Sequence, residues 1–176
     1  MKRQKKSAFW LLRPLFMLFI LPVLPLSGEM SQFSQADSSV LVKQLEVLAA
    51  SGWVDTGIEV KEGEKYIFKA SGTISLQKGN PIANCGPEGL DLQTVQQPLT
   101  DHNLGALVGK LVKVLGVRKD EETGEEIREE VTRVFFIGPE AEVEMGLEGR
   151  LYLGTNDDVY EDNEGKFVVS IFKRGS

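Results

Sequence analysis

"GRLYLGTNDDVYEDNEGKFVVSIF", residues Gly149 to Phe172, sets two apolar runs on either side of a polar stretch, and the period of those runs decides the fold. In "GRLYLGTN" Leu151 and Leu153 fall on one side and Tyr152 on the other. In "KFVVSIF" Phe167, Val169 and Ile171 fall together, with Val168, Ser170 and Phe172 opposite. A period of two belongs to a strand, whose successive side chains point to opposite faces. "KYIFKASG" repeats it, with Tyr66, Phe68 and Ala70 on one face and Lys65, Ile67 and Lys69 on the other. "QLEVLAA", "WVDTGIEV", "ALVGKLVKVL" and "VTRVFFIG" are similar apolar stretches bounded by Gly, Pro, Asp or Asn. No window keeps a helical period with proper caps; the nearest, "DEETGEEIREE", is interrupted by Gly124 and has few apolar positions. The expected fold is therefore all-β, a jelly-roll β-sandwich of about seven to nine antiparallel strands.

The chain has 176 residues, 41% of them hydrophobic, enough for one ordinary core. Residues 1–28 do not belong to that core. "MKRQKK" is a positive n-region, and "PLFMLFILPVLPL" (Pro14–Leu26) is too short an apolar run for a membrane span. They are expected to be a signal peptide, with an uncleaved N-terminal anchor as the alternative. Residues 29–39 read as a polar linker and residues 40–176 as the folded domain. Export would place that domain in the periplasm or outside the cell.

Losing residues 1–28 removes five cations and no anions, taking the net charge from −6 to −11. So acidic a domain repels nucleic acid and anionic membrane surfaces, and suits a cation. With Cys85 as the single cysteine, no internal disulfide can form. A nucleophilic pairing of Cys85 with the sole histidine, His102, is conceivable, but a buried or unpaired thiol is the default. No carboxylate spacing marks an acid/base pair, and there is no phosphate loop, Ser-His-Asp ordering or zinc spacing. The expected function is not enzymatic.

The polar stretch carries the chemistry. Asp157, Asp158, Asp162 and Asn163 offer four side-chain oxygen donors within seven residues. Calcium takes about six to eight hard oxygen ligands from carboxylates, amides and backbone carbonyls. The spacing is not that of an EF-hand, since the twelfth residue from Asn156 is Phe167, so a remote ligand would be needed. The alternative is a solvated hairpin tip, because Asp and Asn also bond their own backbone in turns. Two further segments break the strand rhythm. Ile74–Gly105 is a long turn-rich excursion, and Arg118–Glu130 holds seven acids and three bases around a Thr123-Gly124 turn.

The ordered set "ASGWVDTGIEVKEGEKYIFKASGTIS", "GPEG", "LGALVGKL", "FFIG", "GRLYLGTND" and "DNEGKFVVSI" resembles the bacterial galactose-binding lectins of the PA-IL-like kind. The resemblance spans residues 43–173 and implies a small galactose-binding-like β-sandwich that holds a sugar through bound Ca2+. It implies that Asp157, Asp162 and Asn163 are side-chain metal ligands, with backbone carbonyls from Val159 or Tyr160 and from Leu76. For the sugar, Tyr160 is the residue nominated for stacking, while Gln97 and His102, with Gln96, lie where the family carries its sugar loop but without its motif. Trp53 is assigned instead to the core or a sheet edge. The chain departs from the family in a shorter loop between Asp157 and Asn163 and in the Arg118–Glu130 insertion. The resulting expectation is an exported, calcium-dependent carbohydrate-binding module for galactosides. It has no nucleic-acid partner and no membrane contact beyond the export segment. The competing one is a structural or protein-interaction β-sandwich that has lost sugar binding. Oligomeric state has no signature in the sequence.

Overall fold

Tyr66, Phe68, Leu151, Leu153, Phe167, Val169 and Ile171, the residues that strand alternation turns inward, are each at most 2% exposed. They come from a computed structural model that describes residues 38–175; the expected export segment 1–28 and residues 29–37 of the linker lie outside the described residues. Nine strands are present among the described residues: β1 (Ser39–Leu48), β2 (Val54–Val60), β3 (Lys65–Ser75), β4 (Asn84–Cys85), β5 (Leu107–Lys119), β6 (Glu126–Phe136), β7 (Glu140–Glu144), β8 (Gly149–Thr155) and β9 (Glu164–Arg174).

All pairings are antiparallel, in two sheets. One has the order β1-β9-β3, with β4 and β7 sharing the far edge of β3; the other runs β2-β8-β5-β6. With the two-residue β4 set aside, this is the jelly-roll order, in which consecutive strands repeatedly change sheets. The inner faces close on one core. Val47, Phe68, Phe167 and Val169 from the first sheet meet Leu107, Leu111, Leu151 and Leu153 from the second, all buried.

Two features stand apart from the sequence reading. The alternative reading of Gly154–Asn163 as a hairpin tip does not hold: β8 lies in one sheet and β9 in the other, so the polar stretch is the crossing between them. β7 ("EAEVE") is also a strand, although its inward residues Ala141 and Val143 are only half-buried and its remaining positions are glutamates. The start of β9 presses closely on β3. Gly165 has φ +87°, and a Cβ there would stand 2.5 Å from the Thr73 carbonyl oxygen. That approach sets Asn163 and Glu164 beside the end of β3, next to Leu76.

Candidate functional site

Three segments meet where the chain crosses from β8 to β9. They are the crossing itself, the turn after β3, and the long excursion before β5. Each is fixed by polar groups that the sandwich leaves no choice but to pair. In the turn after β3, Ser75 Oγ donates to the Gln77 carbonyl at 2.8 Å, and the Leu76 N–H donates to the Ala83 carbonyl at 3.0 Å. The Lys78 N–H donates to the Asp162 carbonyl at 2.7 Å, tying this turn to the crossing.

The excursion is held by two buried amides. Asn156 is fully buried: its Oδ1 accepts from the Leu99 N–H at 2.8 Å, while Nδ2 donates to the carbonyls of Leu99 and Asn103 at 2.9 and 3.1 Å. Its backbone also pairs with Gly105 and Ala106. Gln97, 4% exposed, takes bonds from Thr94 through Oε1 and gives bonds of 2.6 Å to the Leu99 and His102 carbonyls through Nε2. Both amides are spent on the loop's own backbone.

Between the segments lies a cavity of about 260 Å³, lined by Leu76, Thr94, Gln96, Leu104, Asp157, Val159 and Asp162. The structure thus gathers four of the residues nominated from sequence: Leu76, Asp157, Val159 and Asp162. Asn163, a fifth, adjoins them. Its Nδ2 donates to Asp157 Oδ2 at 2.9 Å and to the Val159 carbonyl at 3.1 Å. The other Asp157 oxygen accepts from the Val159 N–H at 2.9 Å. Asp157 is 6% exposed and Asn163 5%, whereas Asp162 and Asp158 face solvent.

The electrostatics of this cluster are unfinished. Among the described residues no lysine, arginine or histidine pairs with the buried Asp157 carboxylate. Asn163 Oδ1 is buried with no hydrogen-bond partner. Leaving such an oxygen unpaired costs about 1–3 kcal/mol. Among the described residues no three His, Cys, Asp or Glu side chains gather as a metal cluster. Any cation here would depend on amide and backbone oxygens besides the two carboxylates, a hard-donor set of the calcium kind.

The remaining nominees sit elsewhere. The Tyr160 carbonyl accepts from the Asn163 N–H at 3.1 Å, so Val159 is the one of the two whose carbonyl faces the amide of Asn163. The Tyr160 ring does not line the cavity but covers Gly52, where a Cβ would stand 3.3 Å from Cε2. Burial, with Asp158 and Asp157 beside it, pushes the Tyr160 phenol above its ordinary range. His102 is also outside the cavity, stacked on Phe136 with ring centroids 4.6 Å apart and Nδ1 2.8 Å from Asp101 Oδ1. Trp53 lies on the outer face of the second sheet with Lys110 Nζ 4.3 Å from its ring centroid. Cys85 is buried, and burial first, then Glu88, pushes its thiol up to about 11, so it is protonated at neutral pH.

Sequence reasoning passed over Thr94 and Asn156. Thr94 sits in a segment without periodicity, which gives no hint of which residues face inward. Asn156 was legible only as one more polar residue in a polar stretch, although it is the fully buried one that anchors the excursion.

No family model matches the chain, and no curated protein matches it. Among solved structures the chain is similar to the "EclA N-terminal domain; PllA-like lectin", at 20% identity and a TM-score of 0.50, over 77% of this chain and 97% of that one. At that identity the likeness shows the fold. The class so defined is an antiparallel, two-sheet β-sandwich with the fold of that domain.

Proposed function

We propose that the chain is an exported, non-enzymatic carbohydrate-binding module that takes a calcium ion at Asp157, Val159, Asp162, Asn163 and Leu76. One observation carries this: Asp157 Oδ2 and the Val159 carbonyl both point at the Asn163 amide, whose own oxygen is buried and unpaired. Turning that amide over about its terminal bond would place three oxygens face to face around one point. That arrangement is untenable without a cation and favourable with one. Bound calcium would supply open coordination positions toward the cavity for sugar hydroxyls. The free Gln96 side chain at the rim would add hydrogen bonds, and galactosides are the first sugars to try.

A second reading keeps the fold without the sugar. It draws on Gln97, whose amide is wholly engaged by backbone, and on His102 and Tyr160, whose rings pack away from the cavity. A glycan array probed with and without chelator separates the two. Calcium-dependent capture of any glycan class, lost in Asp157→Ala, supports the module. Calcium binding with no glycan captured supports the second reading.

A further inference from the structure

β6 is an edge of the second sheet: β5 pairs one side of it, and no described strand pairs the other. β8 pairs with β5 only as far as Val112, so from Lys113 outward β5 and β6 form a two-stranded arm. On this arm Val114, Leu115, Val117 and Val131 are 48%, 60%, 55% and 42% exposed. A long unpaired edge with exposed apolar side chains is a template for another strand unless its charges forbid it. The charges of β6 do not forbid pairing, because it carries Arg128 and Arg133 as well as its glutamates, and the two signs can be set against each other.

We infer that the β6 edge pairs antiparallel with the same edge of a second copy, about a two-fold axis at Glu129. A symmetric antiparallel pair keeps side chains on matching faces, so each residue meets its mirror position across the axis. Centred on Glu129, Arg128 faces the second copy's Glu130 and Glu130 faces its Arg128. Ile127 and Val131 meet in the same reciprocal way on the other face. Arg128 and Glu130 are exposed, and neither has an ion-pair partner among the described residues. Moving the centre to Arg128 sets arginine against arginine and Glu126 against Glu130. Moving it to Glu130 sets glutamate against itself and leaves Arg128 facing Thr132. The self-facing Glu129 is offset by Arg118, its diagonal neighbour on β5, whose Nε lies 3.7 Å from Oε1. The acidic turns around Glu122 would lie at opposite ends of the ladder. They stand about 50 Å apart at ~3.4 Å per residue, many screening lengths at physiological salt.

The pairing is short and sits at the weak end of stable interfaces, so association in the micromolar range is expected. The test is sedimentation equilibrium on purified protein, as wild type, as Arg128→Glu, as Glu130→Arg, and as the two variants mixed. The wild type should dimerise. Each charge reversal alone should weaken association by about tenfold or more, because two attractions become two repulsions. The mixture should recover it, since a heterodimer of the two variants regenerates both opposite-charge contacts. Unchanged circular dichroism of both variants excludes misfolding as the cause. A wild type that stays monomeric, an oligomer indifferent to both reversals, or a mixture no tighter than its components would overturn the inference.

Discussion

Asn156 and Asn163 show how little the type of a residue says about its work. The two amides lie seven positions apart in one polar stretch, both buried. Asn156 satisfies every polar atom it has on the backbone of the excursion, whereas Asn163 leaves Oδ1 without a partner. The first is therefore structural, and the second is the residue with chemistry to spare. Asn156→Ala should leave the Leu99 N–H without a partner and take one bond each from the Leu99 and Asn103 carbonyls, which keep Gln97 and Ala106, lowering stability by about 1–3 kcal/mol. Hydrogen exchange should localise the loss, with Leu99 and its neighbours losing protection while the strands keep theirs. Uniform loss across the strands, or none at Leu99, would mean that the excursion is anchored by something else. At this scale the sequence was half legible. Oxygen-rich residue types announce Asp157, Asp162 and Asn163 as donors. Whether Gln96 or Gln97 faces the cavity depends on the path of an aperiodic loop, and that is written in tertiary hydrogen bonds rather than in a period.

Among the elements, strands were legible wherever burial is one-sided. β3, β8 and β9 each set large apolar side chains at alternate positions, and those are the positions buried. β7 was not, because it pairs along the edge of β3 and pays little apolar surface into the core. The β8–β9 stretch is locally compatible with a hairpin, the alternative its polar residues allow; its true path, a crossing between sheets, follows from sheet order, a property of all the strands together. The Arg118–Glu130 arm is an element on its own, exposed along most of its length and closed by Asp120 Oδ1 accepting from the Glu122 and Thr123 N–H groups. Replacing Lys119–Glu129 with a short Gly-containing turn should leave the melting curve within about 1 kcal/mol of the parent, since the deleted residues bury little. A loss of several kcal/mol would show that the arm braces the sandwich.

Across the whole molecule, the jelly-roll wrap brings one end of the sandwich to a single point, where three loops from distant parts of the chain enclose the cavity. The acidic balance of the chain suits that point. If residues 1–28 direct export, mass spectrometry of protein recovered from the cell envelope should find an N-terminus near Glu29. Full-length chain confined to the cytosol would contradict it. The most direct test of the calcium site is the melting curve of the purified protein in millimolar calcium against chelator, for the wild type, Asp157→Ala and Asp162→Asn. Each variant is compared with itself, because Asp157→Ala also removes the bonds to Val159 and Asn163. At a hundredfold excess over its dissociation constant, calcium should add about 2.7 kcal/mol to the wild type by linkage. Asp162→Asn should keep most of that gain, since an amide oxygen still coordinates, and Asp157→Ala should show none. A wild-type curve that calcium does not move would contradict the site at its root.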